Sequence, residues 1–295
     1  VSRHIKYIVR SIALFLITSF IAYFFYKKYG NDPFGYLNLV KDKGAKTRIK
    51  AEDYTYFEAL KNFFTLDWKR SYYSKLPVTD IIKRGFVNTL FYGAAPLTLA
   101  YLTSPFIGVA ISRVKNKVAT KFIDLFLALG ISFPVLSLAY VIILINNKLD
   151  IAPSFVQTPY SLSELIMPWI VMYLAFSPYW ISISKSKAVE LSNSTSIGVA
   201  KFWGISKSKI WRYYYVKQMM PSYNEISLID ISYALGGVLV VEYAFGIKGL
   251  GYVFLQSVFS GDLPVFMTWL FISILTFIVV THSIRVQKHT INEIS

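Results

Sequence analysis

Cysteine is absent from the 295-residue chain. That absence excludes disulfides, thiolate metal sites and cysteine nucleophiles. Charge is also scarce: Asp, Glu, Lys and Arg make up 16% of the residues, against roughly 25% in soluble domains. The three histidines, His4, His282 and His289, are scattered, and no spacing among them supports metal binding. No Walker A pattern occurs, so ATP hydrolysis by that machinery is excluded. No Ser/His, His/Glu or Asp/Asp pair has a spacing suited to catalysis within the bilayer, which argues against a membrane-embedded enzyme. There is no internal repeat, no low-complexity tract and no soluble domain boundary.

What the chain has is apolar surface. Hydrophobic residues make up 55% and aromatics 17%, and they collect in runs long enough to cross a bilayer, which needs about 20 mostly apolar residues. Six segments qualify: 11–26 (extended by the turn 5–10), 85–112, 125–147, 165–184, 226–241 and 263–284. The fifth is the weakest, interrupted by Asp230 and ended by Glu242. The expected class is all-α, a polytopic membrane protein with six transmembrane helices. The first run follows Arg3, Lys6 and Arg10 and resembles a signal peptide in that respect. Tyr23-Phe24-Phe25-Tyr26-Lys27-Lys28 follows instead of a small-residue cleavage site, so an uncleaved first span is expected. Three regions result: 1–26, an extracytoplasmic segment 27–84, and a core 85–295 with a cytoplasmic loop 185–221.

Net charge is +15. On a soluble protein that would suggest nucleic acid. Here the basic residues lie between apolar runs, so lipid head groups and topology explain them better, and no nucleic-acid partner is expected. With the N-terminus inside, the inner segments hold sixteen basic residues, and the two short outer loops hold only Lys148 and Lys248. Segment 27–84 would lie outside with thirteen more, which a long loop tolerates. Within it, 54–64 places Tyr56, Phe57, Leu60, Phe63 and Phe64 at helical spacing, as expected of a short helix lying on the outer membrane surface.

The loop after span four carries the sharpest local signal. In 197–206, Gly198 and Ala200 precede Gly204, which is placed to end a short helix because glycine reaches the left-handed region cheaply. A second helical run, 207–220, follows, and Pro221 opens the next element. Spacing alone leaves two readings: a helix that docks on a soluble partner, or an ordinary basic amphipathic loop. Asp230 also has two, lining a path or gate, or lying at a helix end within reach of head groups. Glu242 precedes the turn Gly246-Ile247-Lys248-Gly249-Leu250-Gly251, where it would cap or pin an outer loop. Gly236-Gly237 suits close helix packing. Among the prolines inside apolar runs (Pro96, Pro105, Pro134, Pro178), each can kink a helix. The tryptophans fit interfacial positions.

Ala200-Lys201-Phe202-Trp203-Gly204-Ile205-Ser206 resembles the A-[RK]-x-x-G-[LIV]-[ST] form of the EAA loop of binding-protein-dependent ABC permeases. Other pieces agree in the family's order: Gly30-Asn31-Asp32-Pro33-Phe34; Leu66-Asp67-Trp68-Lys69-Arg70-Ser71 with Leu76-Pro77-Val78; Gly130-Ile131-Ser132-Phe133-Pro134; Leu235-Gly236-Gly237 through Glu242, Phe245 and Gly249-Leu250-Gly251; and Asp262-Leu263-Pro264. The pattern is similar to the B-type subunit of dipeptide, oligopeptide and nickel importers. The general signature's glutamate falls at Gly198, and Trp203 replaces a usual small or basic residue. The resemblance implies the type I importer permease fold in an inner membrane. It implies a path formed with a second permease, two ATPase subunits or domains carrying ATP and Mg, and an extracytoplasmic solute-binding protein. This chain would be non-catalytic and hold no cofactor. Gly198, Ala200, Lys201, Gly204, Ile205 and Ser206 would couple to the ATPase. Pro134, Asp230, Gly236, Gly237, Glu242, Gly249 and Gly251 would serve the path or gate. A secondary transporter working without an ATPase is the rival. It would show inverted repeats and intramembrane ion ligands, and only Asp230 is a candidate.

Overall fold

A computed structural model describes residues 2–29, 54–153, 155–156, 161–216, 218–219 and 236–294. Span five up to position 235, with Asp230 and Pro221, lies outside the described residues, as does Gly30-Asn31-Asp32-Pro33-Phe34. The described residues are helical, with a single isolated bridge between Arg70 and Pro77. In order the helices are α1 (Ser2–Tyr29), α2 (Tyr56–Phe64), α3 (Val78–Thr89), α4 (Ala95–Ser112), α5 (Lys117–Ser132) and α6 (Val135–Leu149). Then come α7 (Leu162–Ser192), α8 (Thr195–Phe202), α9 (Lys207–Ile210), α10 (236–244), α11 (Leu250–Ser260) and α12 (Leu263–Ile294). Two π-helical stretches, Leu90–Ala94 and Trp211–Val216, join α3 to α4 and extend α9.

Among the described residues, three helices are long and apolar enough to cross a membrane: Val9–Lys28, Val78–Ser112 and Ser163–Ser192. The third expected span differs from the sequence reading. It breaks into α5 and α6, which meet at 108°. Proline has no N–H and disfavours the helical region for the residue before it. Phe133 accordingly sits at φ −81°, ψ 121°, and Pro134 opens α6. Pro105, Pro168 and Pro178 leave their helices continuous. The sixth span begins at Leu263 as expected, with its apolar part at Leu263–Val279.

The chain forms two compact units, 1–87 with 248–287, and 88–247 with 288–295. In the first, α2 differs from the sequence reading. Its buried face, Tyr56, Ala59, Asn62 and Phe63, packs on protein. Phe63 lies 5.0 Å from Phe271 between ring centroids, and the Tyr56 hydroxyl is 2.8 Å from Ser19 Oγ. Of its apolar residues, Phe57 and Phe64 face outward. Thr55 caps the helix by accepting from the Glu58 N–H. Burial pushes the Tyr54 phenol up to about 12.

In the second unit, α4 packs chiefly on α7. A Cβ at Gly108 would collide with Ser184, and one at Gly130 would lie 2.6 Å from Pro178. Bare glycines thus let α4 and α5 approach α7 closely. The outward stripe of α5, Val118, Phe122, Leu125, Phe126 and Leu129, is more than half exposed throughout. An apolar face of that breadth suits lipid contact. At 31 residues, α7 spans about 46 Å by the 1.5 Å helical rise, more than the ~30 Å hydrocarbon core, so it carries the next segment clear of the bilayer.

Candidate functional site

α7 ends at Ser192, and Ser194 starts α8 by accepting from the Ile197 N–H. Ile197 and Ala200 are fully buried against Val109, Ala188, Leu191 and Ile210. The opposite face exposes Gly198, Val199 and Lys201, with Phe202 91% and Trp203 79% exposed at its end. α8 is therefore anchored along one side and open along the other.

Gly204 terminates α8 with φ +68°. Its N–H donates to the Lys201 carbonyl and the Ile205 N–H to the Ala200 carbonyl, both at 3.0 Å. This pair of bonds is the Schellman closure, with Ile205 folded back on the Ala200 side. A Cβ at Gly204 or Gly198 would meet open space among the described residues. Ser206 then caps α9 by accepting from the Lys209 N–H. The second run expected over 207–220 is shorter as α-helix, because the π-stretch Trp211–Val216 takes over after Ile210. Between Leu191 and Val216 the chain has no acid, whereas Lys201, Lys207, Lys209 and Arg212 are exposed.

The expected path residues divide. Gly237 packs beside the start of α6, the helix that Pro134 opens: a Cβ at Gly237 would lie 2.7 Å from the Phe176 ring and 3.8 Å from Val135. Among the described residues, Gly236 is exposed and a Cβ there meets nothing within 4 Å, whereas Gly237 is packed closely. Glu242 is 1% exposed and accepts a hydrogen bond from the Thr89 hydroxyl. α10 closes as α8 does: Gly246 has φ +68°, and the Ile247 N–H donates to the Glu242 carbonyl at 2.8 Å. Gly249 and Gly251 belong to the other unit, where both are buried and Gly85 approaches the Gly249–Leu250 backbone.

One site escaped the sequence reading. Asp262, 3% exposed, accepts from the Ser71 hydroxyl and from the N–H groups of Tyr72 at 3.1 Å and Tyr73 at 3.3 Å. It fixes the turn 71–76, which Lys69 and Lys75 enter with φ near +61°. Ser71 and Asp262 each sit in a recognisable motif. Their separation by 191 positions hid the pairing. Nearby on the surface, Lys69 holds the Asp67 carboxyl below its usual range through a 2.8 Å hydrogen bond.

Residues 104–290 match the family of binding-protein-dependent transport system inner membrane components. The nickel import system permease protein NikB of Staphylococcus aureus strain bovine RF122 is 26% identical over 230 residues, 78% of this chain and 68% of that protein. Its counterpart from strain MRSA252 is 25% identical over the same shares.

Proposed function

Because the chain belongs to the binding-protein-dependent inner membrane transport components, and so is a multi-pass permease subunit of an ABC importer, we propose that α8 is its point of contact with a partner ATPase. Under this reading the chain forms, with a second permease, a path for small solutes of the peptide and nickel-complex type. A solute-binding protein delivers them from outside. ATP and Mg reside on two partner ATPase subunits or domains, and this chain is non-catalytic. Gly198, Lys201, Gly204, Ile205 and Ser206 form the contact, and Ala200, expected among them, lies instead on the buried face and anchors α8 to the core. Pro134, Asp230, Gly236, Gly237, Gly249 and Gly251 serve the path, and Glu242 holds its wall.

The observation that carries the reading is the asymmetry of α8. One face is buried to 0–1% at Ile197 and Ala200, while the other ends in a nearly naked Phe202-Trp203 pair. A helix so placed transmits force between an anchored core and whatever covers the open face.

Gly204 tests this. At φ +68° a side chain costs about 1 kcal/mol, yet among the described residues no atom obstructs it. The further penalty falls in the docked partner, where an aspartate must also be desolvated at a few kcal/mol. Gly204→Asp and Gly204→Val should insert and co-purify with the second permease but lose stimulation of ATPase activity by cargo-loaded binding protein. Full stimulation and uptake in both variants would show that α8 is not the coupling element. Mass spectrometry of solute retained by the purified complex identifies the cargo.

A further inference from the structure

We propose that the cavity where α4 meets α9 binds the phosphate head group of an anionic phospholipid. The cavity measures about 390 Å³, within the range of small-molecule pockets. Its floor is apolar: Phe106, Val109 and Ala110 from the last turns of α4, and Trp211. Three lining residues carry donor side chains: Arg113, Lys207 and Ser208. No acid lines it, and neither cation has an acidic partner among the described residues. Two cations and a hydroxyl around one opening suit a phosphate diester.

Position decides between a lipid and a soluble phosphate. Arg113 caps α4 where the apolar run 85–112 ends, at head-group depth. Leu99, Leu102 and Phe106 are 45%, 58% and 60% exposed on α4. Their spacing makes one helical stripe leading into the cavity, a bed for an acyl chain beneath the phosphate. The Trp211 ring, 5.0 Å from Phe106, closes the junction with the side chain most favoured at a membrane interface. The charge bias places this end of α4 inside, facing the anionic leaflet, where basic pockets between helices hold lipid head groups. Lys207 follows Ser206 directly. If the reading of α8 holds, a bound lipid therefore pins the end of that segment to the membrane.

The test is lipid retention by the assembled complex, measured by native mass spectrometry after exchange from nanodiscs containing phosphatidylglycerol or phosphatidylcholine. At about 1 kcal/mol per basic residue near the surface, R113Q/K207Q should hold phosphatidylglycerol roughly thirty-fold more weakly. R113K/K207R should hold it as wild type does, and phosphatidylcholine should not discriminate among the three. Equal phosphatidylglycerol retention in wild type and R113Q/K207Q overturns the proposal. So does inorganic phosphate that displaces phosphatidylglycerol from wild type and binds without it, since that marks a site for free phosphate. The readout needs neither cargo nor ATP turnover, so failure here leaves the coupling role of α8 standing, and failure of the Gly204 test leaves this site standing.

Discussion

At the scale of single residues, buried acids are the most informative groups. Asp262 and Glu242 are both almost wholly enclosed, and each is held by hydrogen-bond donors from distant sequence. A buried carboxylate without such partners is costly, and hydrogen bonds to a charged group contribute about 1.5–3 kcal/mol. Asp262→Ala strands two backbone N–H groups and the Ser71 hydroxyl. The turn 71–76 should then open by about 2 kcal/mol, and limited trypsin digestion should cut at Lys69 and Lys75 well before it does in wild type. Unchanged cleavage would mean the turn holds itself through its own bonds, Ser71 N–H to the Leu76 carbonyl and Lys75 N–H to the Ser71 carbonyl.

At the scale of elements, glycine and proline set the helix geometry, and neighbours decide which of them matter. Gly236 and Gly237 are indistinguishable in sequence, yet among the described residues one faces open space and the other meets the Phe176 ring. Gly237→Leu should therefore destabilise the purified protein by about 1–3 kcal/mol through overpacking. Gly236→Ala should be neutral or slightly stabilising, since it reduces unfolded-state freedom without a clash. Thermal unfolding in detergent compares the two, and equal effects would contradict this packing. Pro134 shows the same dependence on context. It shares its chemistry with Pro105 and Pro178, but only at Pro134 does the preceding residue turn extended and the helix break. Gly130, Ser132 and Phe133 before it resemble a family motif, which marked the position; the 108° bend itself was not legible.

At the scale of the whole molecule, the lopsided distribution of Lys and Arg over short loops orients the chain. The cysteine-free sequence is a ready background for single-site labelling. Asn62 is buried in α2, so Lys61, exposed on the same helix, is the better reporter, with Asn193 at the end of α7 as its opposite. An impermeant thiol reagent should modify Lys61→Cys in intact cells and Asn193→Cys only after permeabilisation. The reverse pattern would invert the topology.

Long apolar runs, scarce charge and their flanking lysines determined by themselves that this is a helical membrane protein, because a bilayer demands internally satisfied backbone over about 20 apolar residues. The Ala200–Ser206 motif likewise announced a glycine-ended helix, because Gly204 at φ +68° is a local backbone requirement. Tertiary structure alone decided what such local rules cannot see. It set the docking of α2 on α1 and α12, the grip of Asp262 on the turn at Ser71, and the cavity lined by Arg113 and Lys207. Each brings together residues far apart in the chain, and their juxtaposition depends on shape and burial that no spacing along a sequence encodes.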